Sequence, residues 1–218
     1  LNRLVEKGYK VAICEQVEDP QQAKGIVKRE VVRVVTAGTN MNAQALDETK
    51  NNYIMCIVYI ADRYGLAVAD VSTGDYFVTE LDSGRKLLDE IHKFSPSEII
   101  CNESFYMSGL DLDDLRHRLG MMIYSIDTHF FDDEMCARIL KEHFHAASLE
   151  GMGLGDYNCG VIAAGALLKY LYETQKTSLS HITHITGYAT GRYMLLDSSS
   201  RRNLELCETL REKQKRGS

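Results

Sequence analysis

ADVSTGDYF, residues 69–77, sets Asp70 and Asp75 on either side of a turn. A strand-borne aspartate is one component of a two-metal nuclease. Such a centre needs several carboxylates converging on ions roughly 4 Å apart. Asp127 is a further acid the fold could recruit, but nothing in its spacing requires it. The simpler reading gives Ser72, Thr73 and Gly74 to the turn and leaves the aspartates solvated. GMGLGD, residues 151–156, has the look of a phosphate cradle, yet the third glycine of a dinucleotide fingerprint would fall on Asp156. The segment also follows a helical pattern and not a strand, so it reads as glycines joining two helices. A GxxxxGK[ST] loop is absent from the chain. The seven histidines include His143 and His145 near Cys136, and His181 with His184, without HExxH or CxxC spacing. Structural or solvent roles suit them better than a metal. No nucleophile–base pairing follows from spacing, so the chain reads as non-catalytic, with no cofactor or metal of its own.

The basic residues are more suggestive. Lys24, Lys28, Arg29 and Arg33 cluster around one strand-like run, and Arg201, Arg202, Arg211, Lys213, Lys215 and Arg216 crowd residues 201–216. Lys28, Arg29, Arg33, Arg201 and Arg202 are the candidates for DNA-phosphate contact. Charge distribution limits where such contact can lie. Residues 1–40 carry seven Lys or Arg against five Asp or Glu, and residues 197–218 carry six against four, so each segment is +2. Residues 41–196 carry 12 against 22, a net −10. A duplex repels that middle.

Periodicity supplies the frame for these residues. Leu1, Leu4 and Val5 before Gly8 look like the end of a helix. Residues 9–16 and 28–36 read as strands separated by a polar loop, and residues 37–52 as a polar linker. Three strands follow at 53–61, 66–71 and 75–81, with the connections DRYG and STG ending in glycine as in tight hairpins. Leu87, Leu88, Ile91 and Phe94 share a helical face that Ser95 and Pro96 end. EIIC, residues 98–101, is a short buried strand. Helices near 110–119, 132–147 and 158–176 follow, with a strand at 121–127 between the first two. In the last helix Val161, Ala164, Leu168, Leu171 and Tyr172 fall along one stripe, and HITHITGY, residues 181–188, reads as an exposed connection. The chain changes character at Asp197, where a Ser-rich cap leads into a helix carrying Leu204, Leu206 and Leu210. Three antiparallel strands followed by alternating helices and strands predict an α/β fold with a mixed sheet, in ribonuclease H-like order.

Bulk properties agree with that fold. The chain has 218 residues, 44% hydrophobic and 26% charged, enough for one core domain with pieces of its neighbours. No apolar run approaches the roughly 18 residues of a membrane span. The first residues, charged and quickly alternating, are unlike a signal peptide. Six cysteines without a close pair, several inside apolar runs, read as reduced thiols of a cytoplasmic protein.

Long motifs at both ends carry a family resemblance. GYKVAICEQVEDPQQAKGIVKREVVRVVTAGT, residues 8–39, resembles the end of the mismatch-recognition domain of the MutS family of DNA mismatch repair proteins. LAVADVSTGDYFVTEL, residues 66–81, and GALLKYLYETQKT, residues 165–177, resemble its connector domain, and LDSSSRRNLEL, residues 196–206, the opening of its core or lever domain. The resemblance implies a division into 1–40 (end of the mismatch-recognition domain), 41–52 (linker), 53–180 (connector) and 181–218 (start of the core or lever domain). It implies a parent protein that is a homodimeric clamp, inspects mismatched duplex DNA, uses ATP and Mg, and works with MutL. The family's Phe-x-Glu mismatch probe would precede residue 1 and its Walker ATPase would follow residue 218. No catalytic or nucleotide-binding residue carries over. The implied role of this part is a connector that couples the DNA and ATPase ends and offers MutL a docking surface; the alternative is a metal-dependent nuclease acting through Asp70. The sequence departs from the family at Ala37, where proline is common, which predicts a looser turn into the linker.

Overall fold

The run Ile54 to Ile60 contains no charge and alternates between two apolar faces, which suits a strand covered on both sides. In the computed structural model, which describes residues 1–21, 25–40 and 51–190, this run is the centre of a six-stranded sheet. Two strands precede it: β1 (Val11–Gln16) and β2 (Arg29–Val35) form an antiparallel hairpin with a bulge between Ile13 and Cys14, after the short helix α1 (Asn2–Val5). The sheet itself comprises β3 (Ile54–Ile60), β4 (Arg63–Asp70), β5 (Asp75–Leu81), β6 (Glu98–Cys101), β7 (Met122–Ser125) and β8 (Thr186–Gly187). Its spatial order is β7-β6-β3-β4-β5-β8. The β3–β4 and β4–β5 pairs are antiparallel, whereas β6, β7 and β8 pair in parallel with their neighbours, so the sheet is mixed as expected. The chain divides into two units, Leu1–Tyr188 and Ala189–Ser218. The helix expected after residue 200 lies outside the described residues, as do residues 41–50 of the expected linker.

Helices cover both faces. α2 (Gly84–Phe94) is capped by the Ser83 side chain and ended by Ser95 in the left-handed region. Its Phe94 meets Phe77 and Tyr53 on one face of the sheet. α3 (Leu112–Leu119) packs by β7. On the other face α4 (Asp133–His143) packs against α5 (Cys159–Gln175), which touches β3, β4, β5 and also β2 of the hairpin. Fully burying one Leu or Ile contributes about 1.5–3 kcal/mol, and Ile54, Met55, Ile57, Leu66, Leu87, Ile91, Ile99 and Ile100 all reach that state.

Four sequence expectations need correction. The single stripe on α5 is too narrow: 14 of its 17 residues are buried, because the sheet, α4 and the hairpin surround it. Small residues permit this; a Cβ on Gly165 would come within 2.3 Å of Cys136 Cβ. The β3–β4 turn is not DRYG but Ala61 and Asp62, both left-handed at φ +48° and +59°, and Arg63 to Gly65 already lie in β4. The segment 181–188 is not simply an exposed connection, since Ile182 is buried and β8 completes the sheet beside β5. Finally, residues 37–40 are not a polar linker: Ala37–Thr39 is a 3₁₀ turn, and Gly38, Thr39 and Asn40 are buried.

Candidate functional site

That buried turn leads to a polar junction which the sequence did not announce. Glu98 opens β6 with no solvent exposure, flanked by strands whose neighbours are apolar. A buried carboxylate must be matched by donors, and here they come from two parts of the chain. The Gly38 amide donates to Oε2 at 2.7 Å. On Oε1 the Tyr170 hydroxyl donates at 3.0 Å and the Tyr124 hydroxyl donates as well, the two hydroxyls lying 2.7 Å apart. Burial first, and the Glu98 charge next, push both phenols well above the usual tyrosine range, which keeps them protonated as donors. The Lys10 ammonium sits 3.9 Å from the centre of the Tyr124 ring. Partial burial lowers its pKa, while the Glu98 charge pulls the other way.

The turn that brings Gly38 there is fixed locally. Thr36 N–H donates to Thr39 Oγ1 at 3.0 Å, Thr39 N–H returns to the Thr36 carbonyl at 3.2 Å, and the two hydroxyls are 2.9 Å apart. Ala37 occupies the first position of the turn, where a proline would also fit. Without a proline there, the Thr36–Thr39 bonds and the Asn52 amide close the turn. Gly38 has no alternative: a Cβ there would lie 2.7 Å from Ile54 Cβ and 3.0 Å from Glu98 Cβ.

Two further clasps converge on the same turn. Asn52 donates from Nδ2 to the carbonyls of Ala37 (3.0 Å) and Asn40 (3.3 Å), and its Oδ1 accepts from Ser97. Arg33 donates from Nη2 to the Thr39 carbonyl at 2.9 Å and from Nε to Gln175 Oε1, at the end of α5, at 3.0 Å.

These placements sort the phosphate candidates. Arg33 is half-buried and held inward by those bonds. Lys28 is exposed and paired with Glu30 at 2.5 Å, which raises the lysine and lowers the glutamate pKa through their mutual hydrogen bond and charge. Arg29 is exposed at the start of β2. Arg201, Arg202 and Lys24 lie outside the described residues.

The metal-centre reading fares poorly. Asp70 is buried and not solvated. Its Oδ1 accepts from Ser72 N–H (2.8 Å), Ser72 Oγ (2.6 Å) and Thr73 N–H (3.4 Å), and its Oδ2 from Asn52 N–H (3.1 Å). The carboxylate thus ties the β4–β5 turn to the residue that begins the sheet domain, a local Asx arrangement. Asp127 is exposed and ends in a pair with His129 at 2.8 Å. Among the described residues no group of three or more His, Cys, Asp or Glu is placed to hold a metal. His143 bridges the Tyr172 hydroxyl and the Ile182 carbonyl, the latter at 2.8 Å, and His181 meets the Val71 carbonyl at 2.6 Å. Gly153, left-handed, follows a 3₁₀ turn between α4 and α5, so GMGLGD does join two helices. Cys14 is exposed, and Cys56, Cys101, Cys136 and Cys159 are buried free thiols; burial pushes Cys101 and Cys136 up to about 12. No helix of the described residues is long and apolar enough to cross a membrane.

Sequence reasoning flagged Arg33 for its charge and missed Glu98 altogether. The signal was present in SEIIC, where a carboxylate stands at the mouth of a short apolar strand.

The junction coincides with a boundary between two known families of domain. The profile described as MutS domain I matches residues 1–44, and that described as MutS domain II matches residues 52–183. Lys10, Arg33 and Gly38 come from the first match; Asn52, Glu98, Tyr124, Tyr170 and Gln175 come from the second. Among curated relatives, a DNA mismatch repair protein MutS of Lachnoclostridium phytofermentans is 61% identical over 218 residues, covering 100% of this chain and 23% of the relative. Proteins of the same name from Ruminiclostridium cellulolyticum and Acetivibrio thermocellus are 49% and 45% identical, each over 99% of the chain and 25% of the relative. The chain spans about a quarter of the length of these relatives. With one domain profile on each side of the Glu98 junction and relatives colinear across both, the chain belongs to the MutS family.

Proposed function

We propose that this chain serves a mismatch-repair protein as its connector, with the end of the mismatch-recognition domain attached. In this reading residues 1–40 close the mismatch-recognition domain, 41–52 are the linker, 53–180 are the connector in ribonuclease H-like order, and 181–218 open the core or lever domain. The sheet order supports the connector assignment, with three antiparallel strands at its centre and later strands added in parallel. β8 and Tyr188, which donates its hydroxyl to Glu90 at 2.6 Å, argue for extending the connector to 188. The observation that carries the proposal is the meeting of the two domain matches at one buried polar junction inside the unit Leu1–Tyr188.

The role is communication and docking, not chemistry. The whole protein would work as a homodimer in the cytoplasm on mismatched duplex DNA, with ATP and Mg bound by other domains. This part would move between clamp states and present a surface to MutL. The net −10 of residues 41–196 suits a protein partner better than a phosphate backbone. Of the phosphate candidates, Lys28 and Arg29 are the exposed described side chains, and Lys28 is paired with Glu30, which leaves Arg29 as the preferred candidate. Arg201 and Arg202 remain candidates by charge alone. The test is a titration of the chain against the N-terminal domain of MutL at physiological salt. Saturable binding weakened by charge reversals on the connector supports docking. Absence of binding by the folded chain contradicts docking by this part alone.

A further inference from the structure

We infer that the Glu98 junction is a latch that makes the β1–β2 hairpin and the connector sheet move as one body, so the domain boundary in sequence is not a hinge. Three independent clasps pin residues 36–40. β6 holds Gly38 through Glu98, the start of the sheet domain holds Ala37 and Asn40 through Asn52, and the end of α5 holds Thr39 through Gln175 and the Arg33 guanidinium between them. Lys10, from the residue before β1, adds a cation over Tyr124 at the same place.

The energetics make release all-or-none. Lifting the turn would strip Glu98 of the Gly38 donor and of the nearby ammonium while the carboxylate stays between Ile54 and Met122 on its parallel neighbours. A buried charge that loses a partner is strongly destabilised, and the freed Gly38 amide would need a new acceptor. Packing adds to this, because Gly38 seats its backbone directly against Ile54 and Glu98. Intermediate positions keep neither the bonds nor water, so the turn is either seated or fully open. A displacement of the hairpin is then delivered to β6 and α5 and is not absorbed between them.

The inference rests on the junction geometry and not on MutL, so binding of MutL and coupling at the latch can fail separately. Site-resolved hydrogen exchange on the 218-residue chain tests it, using Glu98→Ala, Glu98→Gln and Gly38→Ala. Gly38→Ala leaves every hydrogen-bonding group in place and tests seating alone. Where Glu98→Ala fails to fold, Gly38→Ala carries the test. In both alanine variants the amides at positions 38 and 39 and those of the hairpin (Ile13, Val35) should accelerate together, on the order of 10- to 100-fold. Those of Ile57 and Val68 in the sheet should keep their rates. Glu98→Gln, which retains one acceptor oxygen, should fall between wild type and Glu98→Ala. Acceleration confined to Gly38, or an unchanged hairpin, would reduce the contact to a local cap and overturn the latch. Equal acceleration of hairpin and sheet amides would overturn it as well.

Discussion

The layer between the sheet and α5 and the Glu98 carboxylate at the junction are both buried, but they are built on opposite terms. The layer is made of Ile54, Cys56, Val58, Ala67, Ala69 and Val78 against Ala163, Ala164, Leu167 and Leu168, with no charge among them. Many apolar contacts share the stabilisation, and no single pair decides the arrangement. The junction is made of one carboxylate, two phenols, an amide and an asparagine, each with a named partner. Such a network gives modest net stability per bond, yet a large penalty when one member is lost. The layer therefore sets how stable the fold is, and the junction sets what is attached to it and in which position.

The comparison is broken most severely by crowding α5 on the side that meets α4. Gly165→Ala, in a helix, would gain about 1 kcal/mol from propensity alone. Here the new Cβ meets Cys136 Cβ, Cα and O at 2.3, 2.4 and 2.7 Å. We expect a net loss of about 3 kcal/mol in urea unfolding, spread over the whole sheet domain. A stabilised variant would contradict the tight α4–α5 packing. Next comes Arg33→Ala, which removes two bonds of the junction and should cost about 1–3 kcal/mol. Its effect should be read in hairpin exchange rates, with the sheet unchanged; a uniform loss would erase the distinction between the two regions.

A smaller effect concerns pH. Burial, outweighing the Ile182 carbonyl, holds His143 below its ordinary value, with His145 and His181 adding a little in the same direction. The folded state thus prefers the neutral ring, and its contribution is complete above about pH 6.5. Stability at this site should fall as pH drops below that value toward the lowered folded pKa. Exchange of the amides around Ile182 should quicken over that range, and His143→Gln should flatten the dependence. A rise in protection on acidification would refute the assignment. The smallest effect is at the surface, where Lys86 pairs with Asp82 at 2.7 Å and both side chains are largely exposed. Lys86→Ala should leave the unfolding midpoint unresolved from wild type.

These two regions were also unequally legible in the sequence. The sheet and its covering helices were read almost whole: residues 75–81 and 98–101 are strands to the residue, and the helices at 84–94 and 159–175 sit where apolar spacing puts them. What failed there depends on neighbours in space. Gly65 looked like a turn glycine, but it lies inside β4 opposite Val58, where a side chain would strike the Cys159 carbonyl at 2.0 Å. The stripe on α5 could not reveal a hairpin packed on a further side. The junction was nearly invisible, since Glu98, Tyr124 and Tyr170 are far apart in sequence and each is unremarkable alone. Arg33 stood out by charge, and charge suggested phosphate, whereas its half-buried guanidinium serves Thr39 and Gln175. Periodicity reports which face is apolar; it does not report which polar groups meet when two such faces close.

The most direct test of the account is the exchange rate of the Gly38 amide in the unaltered chain, set beside that of Gly25 in the exposed hairpin loop after correction for intrinsic rates. A seated turn, with Gly38 bonded to Glu98, predicts protection on the order of 100-fold or more over Gly25, close to that of the hairpin strands. Equal rates for the two glycines would mean that the turn is open in solution, and that the hairpin and the connector sheet are joined in sequence but not in motion.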